Sequence, residues 1–353
     1  METLNILLAG LGPRGCYWAE VINRSPECKL AAYVDPNSEA LRKAQESFGD
    51  RPGFASLETA LAEVQGVDAL VLATPPEGRE DQIRLACKHK LPLLVEKPLA
   101  LDLEDAKKYV AMAEAAGIPL MVGLNFRYLG VTQALVNLFK GGTVGQPAFA
   151  RFTYERWRDG SLTRLNKYPL TMAHPMLWEQ SIHHFDLMRF VYGKEPLSVY
   201  CTTWNPPWSM YEDDTNVAAI FTFEDNLVVN YQGTWQSAWQ EPHFEWRTDC
   251  TKGIVKQGDQ FGKLSYAQIQ DESLTPVKLP PHEHWITDTE GVLQAFTNTL
   301  LKNAPLECSG RDHLKSLAMV DACIRSSAEA RAVSLDPTFA SSHRLQRSVL
   351  SAT

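Results

Sequence analysis

Residues 4–15 read LNILLAGLGPRG. A mostly apolar run ends at Ala9, a glycine-rich turn follows at once, and CYWAEVI continues over 16–22. A short run of this kind reads as a strand buried on both faces. Pro13 suits the first turn of a helix, because its missing N–H would be unbonded there anyway. Between a strand and a helix the three glycines have separate tasks. Gly10 permits the tight turn, Gly12 lets backbone N–H groups approach a ligand with no side chain between, and Gly15 lets the helix pack on the strand. The helix start then offers unsatisfied donors and a partial positive charge, which suits a pyrophosphate. Gly10, Gly12, Pro13, Arg14 and Gly15 are therefore expected to hold a dinucleotide.

Outward from this turn the rhythm repeats. Apolar runs at 30–35, 69–73, 91–95 and 119–122 alternate with amphipathic stretches such as 103–116, which Asp102 and Gly117 can cap. Alternation of this kind describes βα units and a mostly parallel sheet over residues 1–124. Beyond 125 the pattern changes. Helical stretches at 132–140 and 175–192 precede period-two segments at 198–204, 216–223, 227–235 and 244–249, as in an antiparallel sheet with one covered face. Helices are expected at 287–302 and 311–331. The division expected is 1–124, 125–337 and a Ser-rich, basic, poorly ordered tail at 338–353.

With 353 residues, 44% hydrophobic and 22% charged, the chain has the composition of a folded protein of about two domains, which excludes disordered and fibrous classes. The net charge of −8 gives no global attraction to nucleic acid, and no basic stripe compensates for it. No apolar run spans a bilayer and the start lacks a basic leader, so a cytoplasmic protein without membrane partners is expected. The seven cysteines are scattered with no C-x-x-C pair, as for free thiols rather than a disulfide or zinc framework.

Asp35 ends the second run, 20 residues after Gly15, where a carboxylate accepts hydrogen bonds from ribose hydroxyls and repels a 2′-phosphate. NAD rather than NADP is the expected cofactor. Glu96-Lys97-Pro98 follows the run at 91–95, at the sheet edge where ligands bind, so Lys97 can reach a nicotinamide ribose and a substrate hydroxyl. In WEQSIHHFDL, residues 178–187, an unbroken helix puts Glu179, His183 and Asp186 on one face. Alcohol oxidation needs a proton acceptor, and His183 is suited to it. His184 points elsewhere and reads as a core histidine. No metal is expected there or at His282-Glu283-His284. Eight of nine tryptophans follow residue 150; they read mainly as packing, though Trp235 and Trp239, on one side of a strand, can cover sugar C–H faces. Arg156 and Arg158 flank Trp157 and can grip an acidic substituent; a solvated loop is the alternative reading.

Gly10–Gly15, Asp35, Ala73-Thr74-Pro75-Pro76, Glu96-Lys97-Pro98, Asn125-Phe126-Arg127-Tyr128 and Ile182-His183-His184-Phe185-Asp186 occur in the order seen in the Gfo/Idh/MocA oxidoreductases, which the chain resembles over nearly its whole length. The resemblance implies an α/β protein, with an N-terminal Rossmann domain and a C-terminal α/β domain on an open, mostly antiparallel sheet. It further implies an NAD-dependent dehydrogenase acting on a hydroxyl of a sugar or polyol, and a homo-oligomer, dimer or tetramer, formed through the second sheet. His183 matches the family's acid/base histidine, whereas Glu179 stands where aspartate is common and Ser181 where glycine is common. Catalytic roles are expected for Lys97, His183 and Glu179. Glu96, Lys97, Thr74, Pro75 and Pro76 are expected beside the cofactor, and Asn125, Arg127, Tyr128, Arg156, Trp157 and Arg158 beside the substrate. A pyranose or related polyol is the substrate expected, with Arg156 and Arg158 making an acidic or sulfonated sugar conceivable. The alternatives are glycoside cleavage by transient oxidation with recycled NAD, and a non-catalytic NAD-binding sensor.

Overall fold

The computed structural model describes residues 3–163 and 165–336, so the tail expected at 338–353 lies outside the described residues. Two compact units emerge. One takes the described residues up to Leu129 together with His282–Leu314; the other takes the described residues of Gly130–Pro281 and those from Lys315 to Asp336.

The first unit begins with β1 (Leu4–Ala9), α1 (Pro13–Arg24), β2 (Cys28–Val34), α2 (Ser38–Phe48), β3 (Gly53–Phe54), α3 (Leu57–Glu63), β4 (Ala69–Leu72), α4 (Arg79–His89), β5 (Leu93–Glu96), α5 (Leu103–Ala116) and β6 (Leu120–Gly123). Its strands lie in the order β3-β2-β1-β4-β5-β6 and every pairing is parallel. This is the doubly wound dinucleotide-binding order, whose crevice lies at the carboxyl ends of the strands. Strands β4, β5 and β6 are buried throughout, which is why their sequences read as unbroken apolar runs. Helix ends follow local chemistry. Asp102 accepts from the N–H groups of Glu104 and Asp105, and Gly117, at φ +67, ends α5 in the left-handed conformation.

The second unit contains α6 (Gly130–Lys140), β7 (Pro147–Glu155), α7 (Ile182–Tyr192), β8 (Pro196–Trp204), β9 (Asn216–Phe223), β10 (Val228–Thr234), β11 (His243–Cys250), β12 (Gly253–Asp259), β13 (Gly262–Gln268) and β14 (Thr275–Pro276). The chain then forms α8 (Thr287–Lys302) in the first unit, α9 (Gly310–Glu329), and β15 (Val333–Ser334) in the second. Among the described residues the second sheet has nine strands, in the order β14-β13-β12-β11-β7-β10-β9-β8-β15. All its pairings are antiparallel except β7 with β10. Phe152, Phe221 and Tyr231 face inward, and the Phe185 ring of α7 packs edge-on against Phe221 at 4.9 Å and Tyr231 at 5.1 Å. Phe149, Tyr200 and Ile220 stay about half exposed. The sheet thus has one covered and one open face.

Three features depart from the sequence reading. Residues 282–314, beyond the boundary expected at 124/125, group with the first unit, where α8 packs against α1 and against a short 3-10 turn, Asn125–Tyr128. Residues 175–192 form no single α-helix: a π-helix, Met176–Ser181, precedes α7. Its wider i→i+5 turn removes the regular face on which Glu179, His183 and Asp186 were aligned. Finally β10 ends at Thr234, so Trp235 and Trp239 share no strand; Trp235 is buried while Trp239 is 73% exposed.

Candidate active site

In the first unit, Gly10 turns the chain at φ +90, and a Cβ there would lie 2.7 Å from the Ala73 carbonyl carbon. A Cβ on Gly15 would meet the Gly10 oxygen at 1.9 Å, so α1 can approach β1 only because both positions are glycine. Gly12 differs. It caps α1 with extended backbone and no side-chain hydrogen bond, and a Cβ there would meet nothing within 4 Å. The helix start is therefore uncapped and open, with Pro13 in its first turn. Asp35 lies beside it, accepting from Leu11 N at 2.7 Å through Oδ2 and from Asn37 N at 2.9 Å through Oδ1. An ionised carboxylate has about four acceptor positions, so two remain for ribose hydroxyls. Open space over Gly12, free helix donors and an oriented carboxylate together fit a dinucleotide.

Arg14 and Glu96 prove to be each other's partners. Glu96 Oε1, buried, accepts from Arg14 Nε at 2.6 Å and from Trp18 Nε1 at 2.8 Å, while Arg14 Nη1 donates to Thr289 Oγ1 at 3.0 Å. These side chains tie α1 to the end of β5, and half-buried Lys97 follows, joined to Pro98 by a cis peptide. Arg79 is the residue that sequence reasoning missed here. Almost fully buried, it donates to the carbonyls of Glu96 (2.8 Å), Pro98, Leu99 and Thr74 and so braces both chain ends at this edge. Nothing in the local PPEGRE sequence distinguishes it from a surface arginine. Thr74 Oγ1 donates to Gln82 Oε1 at 2.8 Å; Pro75 is exposed and Pro76 buried.

Asn125, Arg127 and Tyr128, expected to shape a substrate site, bind the returning segment. The Asn125 amide donates to Asp288, Arg127 Nη2 to Asp312 at 2.7 Å and Tyr128 Oη to Glu307 at 2.9 Å. Burial pushes the Tyr128 phenol well above its usual range, so it stays protonated and donates. These contacts give all three a bracing part within the first unit.

In the second unit, His183 is buried at the start of α7 and half-buried Glu179 lies four residues earlier in the π-helix. Glu179 Oε1 accepts from Tyr168 Oη at 2.7 Å, a partner the sequence did not reveal. His184 is a core residue, as expected. Its Nδ1 lies 2.9 Å from Tyr231 Oη and its Nε2 3.0 Å from the Gln180 amide, and burial pushes its pKa down to about 3, so it is neutral at ordinary pH. Asp186 belongs to a buried ionic network. It accepts from Ser316 Oγ at 2.9 Å, and Arg189 bonds Glu195 at 2.7 and 3.1 Å, with Lys315 on the same carboxylate at 2.9 Å. The network anchors the helix that carries His183.

Arg156, Trp157 and Arg158 extend β7 along the end of β10 rather than forming a free loop, with Arg156 N bonded to Thr234 O and Arg158 N to Trp235 O. Arg158 lies over the Trp235 ring, 4.1 Å from its centroid. Burial raises the Tyr154 phenol while the nearby Arg156 and Arg158 pull it down. His282 and His284 stack edge-on at 5.5 Å. Among the described residues the set with metal-ligand spacing is instead His174, Asp213 and Asp214, the imidazole Nδ1 lying 3.5 Å from Asp214 and 3.7 Å from Asp213.

The parallel sheet, the open glycine turn and the carboxylate beside it define an NAD-binding oxidoreductase domain. Residues 4–124 match the model of the oxidoreductase family with an NAD-binding Rossmann fold, and residues 132–256 match the GFO/IDH/MocA C-terminal domain. The chain belongs to the Gfo/Idh/MocA oxidoreductase family. It is 27% identical to D-apiose dehydrogenase of Rhizobium rhizogenes over 326 residues, covering 87% of this chain and 90% of that protein. It is 24% identical to inositol 2-dehydrogenase of Rhizobium meliloti over 342 residues, covering 94% and 99%. An oxidoreductase from Agrobacterium radiobacter, solved in complex with NAD+, L-tartaric acid and magnesium, shares the fold with TM-score 0.85 at 22% identity, over 94% of this chain and 98% of that one. Among the described residues no helix is long and apolar enough to cross a membrane.

Proposed function

We propose that this chain is a dehydrogenase that oxidises a secondary hydroxyl of a pyranose or related ring polyol. NAD, when bound, supplies the hydride acceptor. In the oxidative direction the His183 imidazole takes the hydroxyl proton, and the Lys97 ammonium donates a hydrogen bond to the same oxygen and stabilises the charge developing there. Glu179, held through Oε1 by Tyr168, orients the substrate or the imidazole. Arg79 keeps the backbone on either side of Lys97 in place, and the Asp186–Arg189–Glu195–Lys315 network keeps α7 in place beneath His183.

The observation that carries this reading is the buried His183 at the head of a helix whose every charged inward group is paired, in a chain whose other unit binds NAD. The sugar and polyol dehydrogenases among its relatives support the substrate class. NADH formation across neutral sugars, inositols, sugar acids and aryl glycosides tests it. His183→Ala and Lys97→Ala should each lower turnover by about 10²- to 10⁴-fold with NAD affinity kept. Near wild-type turnover in His183→Ala removes the proposed base, and glycoside cleavage without net NADH identifies transient oxidation instead.

We also propose a homo-oligomer formed through the open face of the second sheet. Tyr200, Ile220, Asn230 and Arg151 lie in register across β8, β9, β10 and β7, and a contiguous half-apolar face of this kind suits a second copy of the chain.

A further inference from the structure

The end of β7 carries a cationic cluster that the proton and hydride chemistry does not use. Arg158 Nη1 donates to Tyr211 Oη at 3.4 Å, and its guanidinium is held over Trp235. Arg156 is exposed beside the Tyr154 hydroxyl. Among the described residues neither arginine has an ion-pair partner. The neighbouring Asp159, whose Oδ1 accepts from the backbone and hydroxyl of Ser161, also acts on the Tyr211 hydroxyl. Two arginines two residues apart at this strand end, neither in an ion pair among the described residues, are a place for an anion.

A second observation is independent of charge. Gln236, 2% exposed, holds a buried polar atom with no hydrogen-bond partner, the Oε1 acceptor, whereas Trp235 Nε1 faces the Tyr154 hydroxyl. The Gln236 amide nitrogen is by contrast satisfied, by Trp235 O at 2.9 Å and Arg158 O at 3.3 Å, so the orphan oxygen follows from how the side chain is fixed. Buried polar atoms are rarely left unpaired. Guanidinium groups without an ion pair call for an anionic acceptor, and an orphan acceptor in the same place calls for a hydroxyl. A ring bearing both an acidic group and hydroxyls supplies the two together. The cluster is also tied to the segment bearing Glu179 and His183, since Tyr154 Oη donates to Gln180 Oε1 at 3.3 Å.

We infer that Arg156, Arg158 and Trp235 form a subsite for an anionic substituent, a carboxylate or a sulfonate, so that the substrate is an acidic sugar rather than a neutral polyol. This rests on the dehydrogenase reading for the reaction but not for the binding.

The test gives the full chain, loaded with NAD+, matched sets of glucose, glucuronate and the corresponding C6 sulfonate, each free and as its methyl glycoside, with the same sets in the galacto series. Binding is read by calorimetry and reaction by NADH and by glycoside cleavage. An anionic member should bind at least about tenfold more tightly than its neutral partner, and Arg156→Gln or Arg158→Gln should each cut that preference about 10- to 100-fold, the range for one charge-assisted hydrogen bond. The neutral partner's constants should barely move. The carboxylate and sulfonate arms show which anion is preferred. Neutral sugars reacting as well as every anionic partner overturn the subsite and leave the dehydrogenase reading intact. Arginine-dependent binding of an anionic sugar without NADH or cleavage keeps the subsite and removes the reaction. No binding of any anionic member overturns it. Should Arg158→Gln fail to fold for want of its stack on Trp235, the exposed Arg156 carries the test.

Discussion

Two glycines of one turn should respond in opposite ways to the same added methyl group. At Gly12 the backbone is extended, with φ −65, and an added Cβ meets no atom within 4 Å. Gly12→Ala should leave unfolding of the cofactor-free protein within about 0.5 kcal/mol of wild type, as for a substitution that touches nothing. The same methyl occupies the space through which backbone donors approach a pyrophosphate. Loss of even one or two hydrogen bonds to a charged group, at about 1.5–3 kcal/mol each, weakens NAD+ binding by about tenfold to about 20,000-fold. At Gly15 the methyl would lie 1.9 Å from Gly10 O and 2.8 Å from Gly10 C, both backbone atoms that cannot swing aside. Helix α1 would have to withdraw by roughly an ångström, and overpacking of this kind costs about 1–3 kcal/mol or more. Denaturant unfolding without cofactor, paired with calorimetric titration of NAD+, separates the two effects. Wild-type NAD+ affinity in Gly12→Ala would refute the placement of the pyrophosphate, and Gly12→Ala as unstable as Gly15→Ala would refute the open space above that residue.

NAD+ should bind more tightly than NADP+ because Asp35 repels a 2′-phosphate, and Asp35→Ala should narrow the gap; titration of both cofactors decides it, with equal NADP+ binding counting against Asp35. Glu195→Gln should destabilise the fold by about 3–5 kcal/mol, since it leaves the buried Arg189 and Lys315 short of a carboxylate. Burial alone would raise the Glu195 pKa, but hydrogen bonds and charge from Arg189 and Lys315 outweigh it and the net shift is downward. Its contribution is therefore present above the unfolded value of about 4.3 and lost as pH falls through the lower folded value. Below about pH 4 the stability gap between wild type and Glu195→Gln should close, and a gap that persists in denaturant titrations at low pH would contradict the pairing. Tyr200→Glu with Ile220→Lys should lower the mass measured by light scattering without lowering the unfolding midpoint by more than about 1 kcal/mol; an unchanged mass would place any interface elsewhere.

What local chemistry governs was legible in the sequence alone. The order of β1, the glycine turn and α1 could be read directly, because glycine's conformational freedom and the burial of a parallel strand act within a dozen residues. The caps Asp102 and Gly117 were legible for the same reason, as was the core character of His184. Tertiary structure alone decided which distant groups meet. Arg14 and Glu96 are 82 residues apart and bind each other. Asn125, Arg127 and Tyr128 face Asp288, Asp312 and Glu307 because residues 282–314 return to the first unit. Arg79, Tyr168 and the stack of Arg158 on Trp235 left no periodic trace, since a hydrogen bond or ring contact across the chain depends on the partner the fold supplies. Nor did spacing reveal the π-helix before α7: a residue pattern reports which side chains recur, while backbone pitch is set by what those side chains pack against.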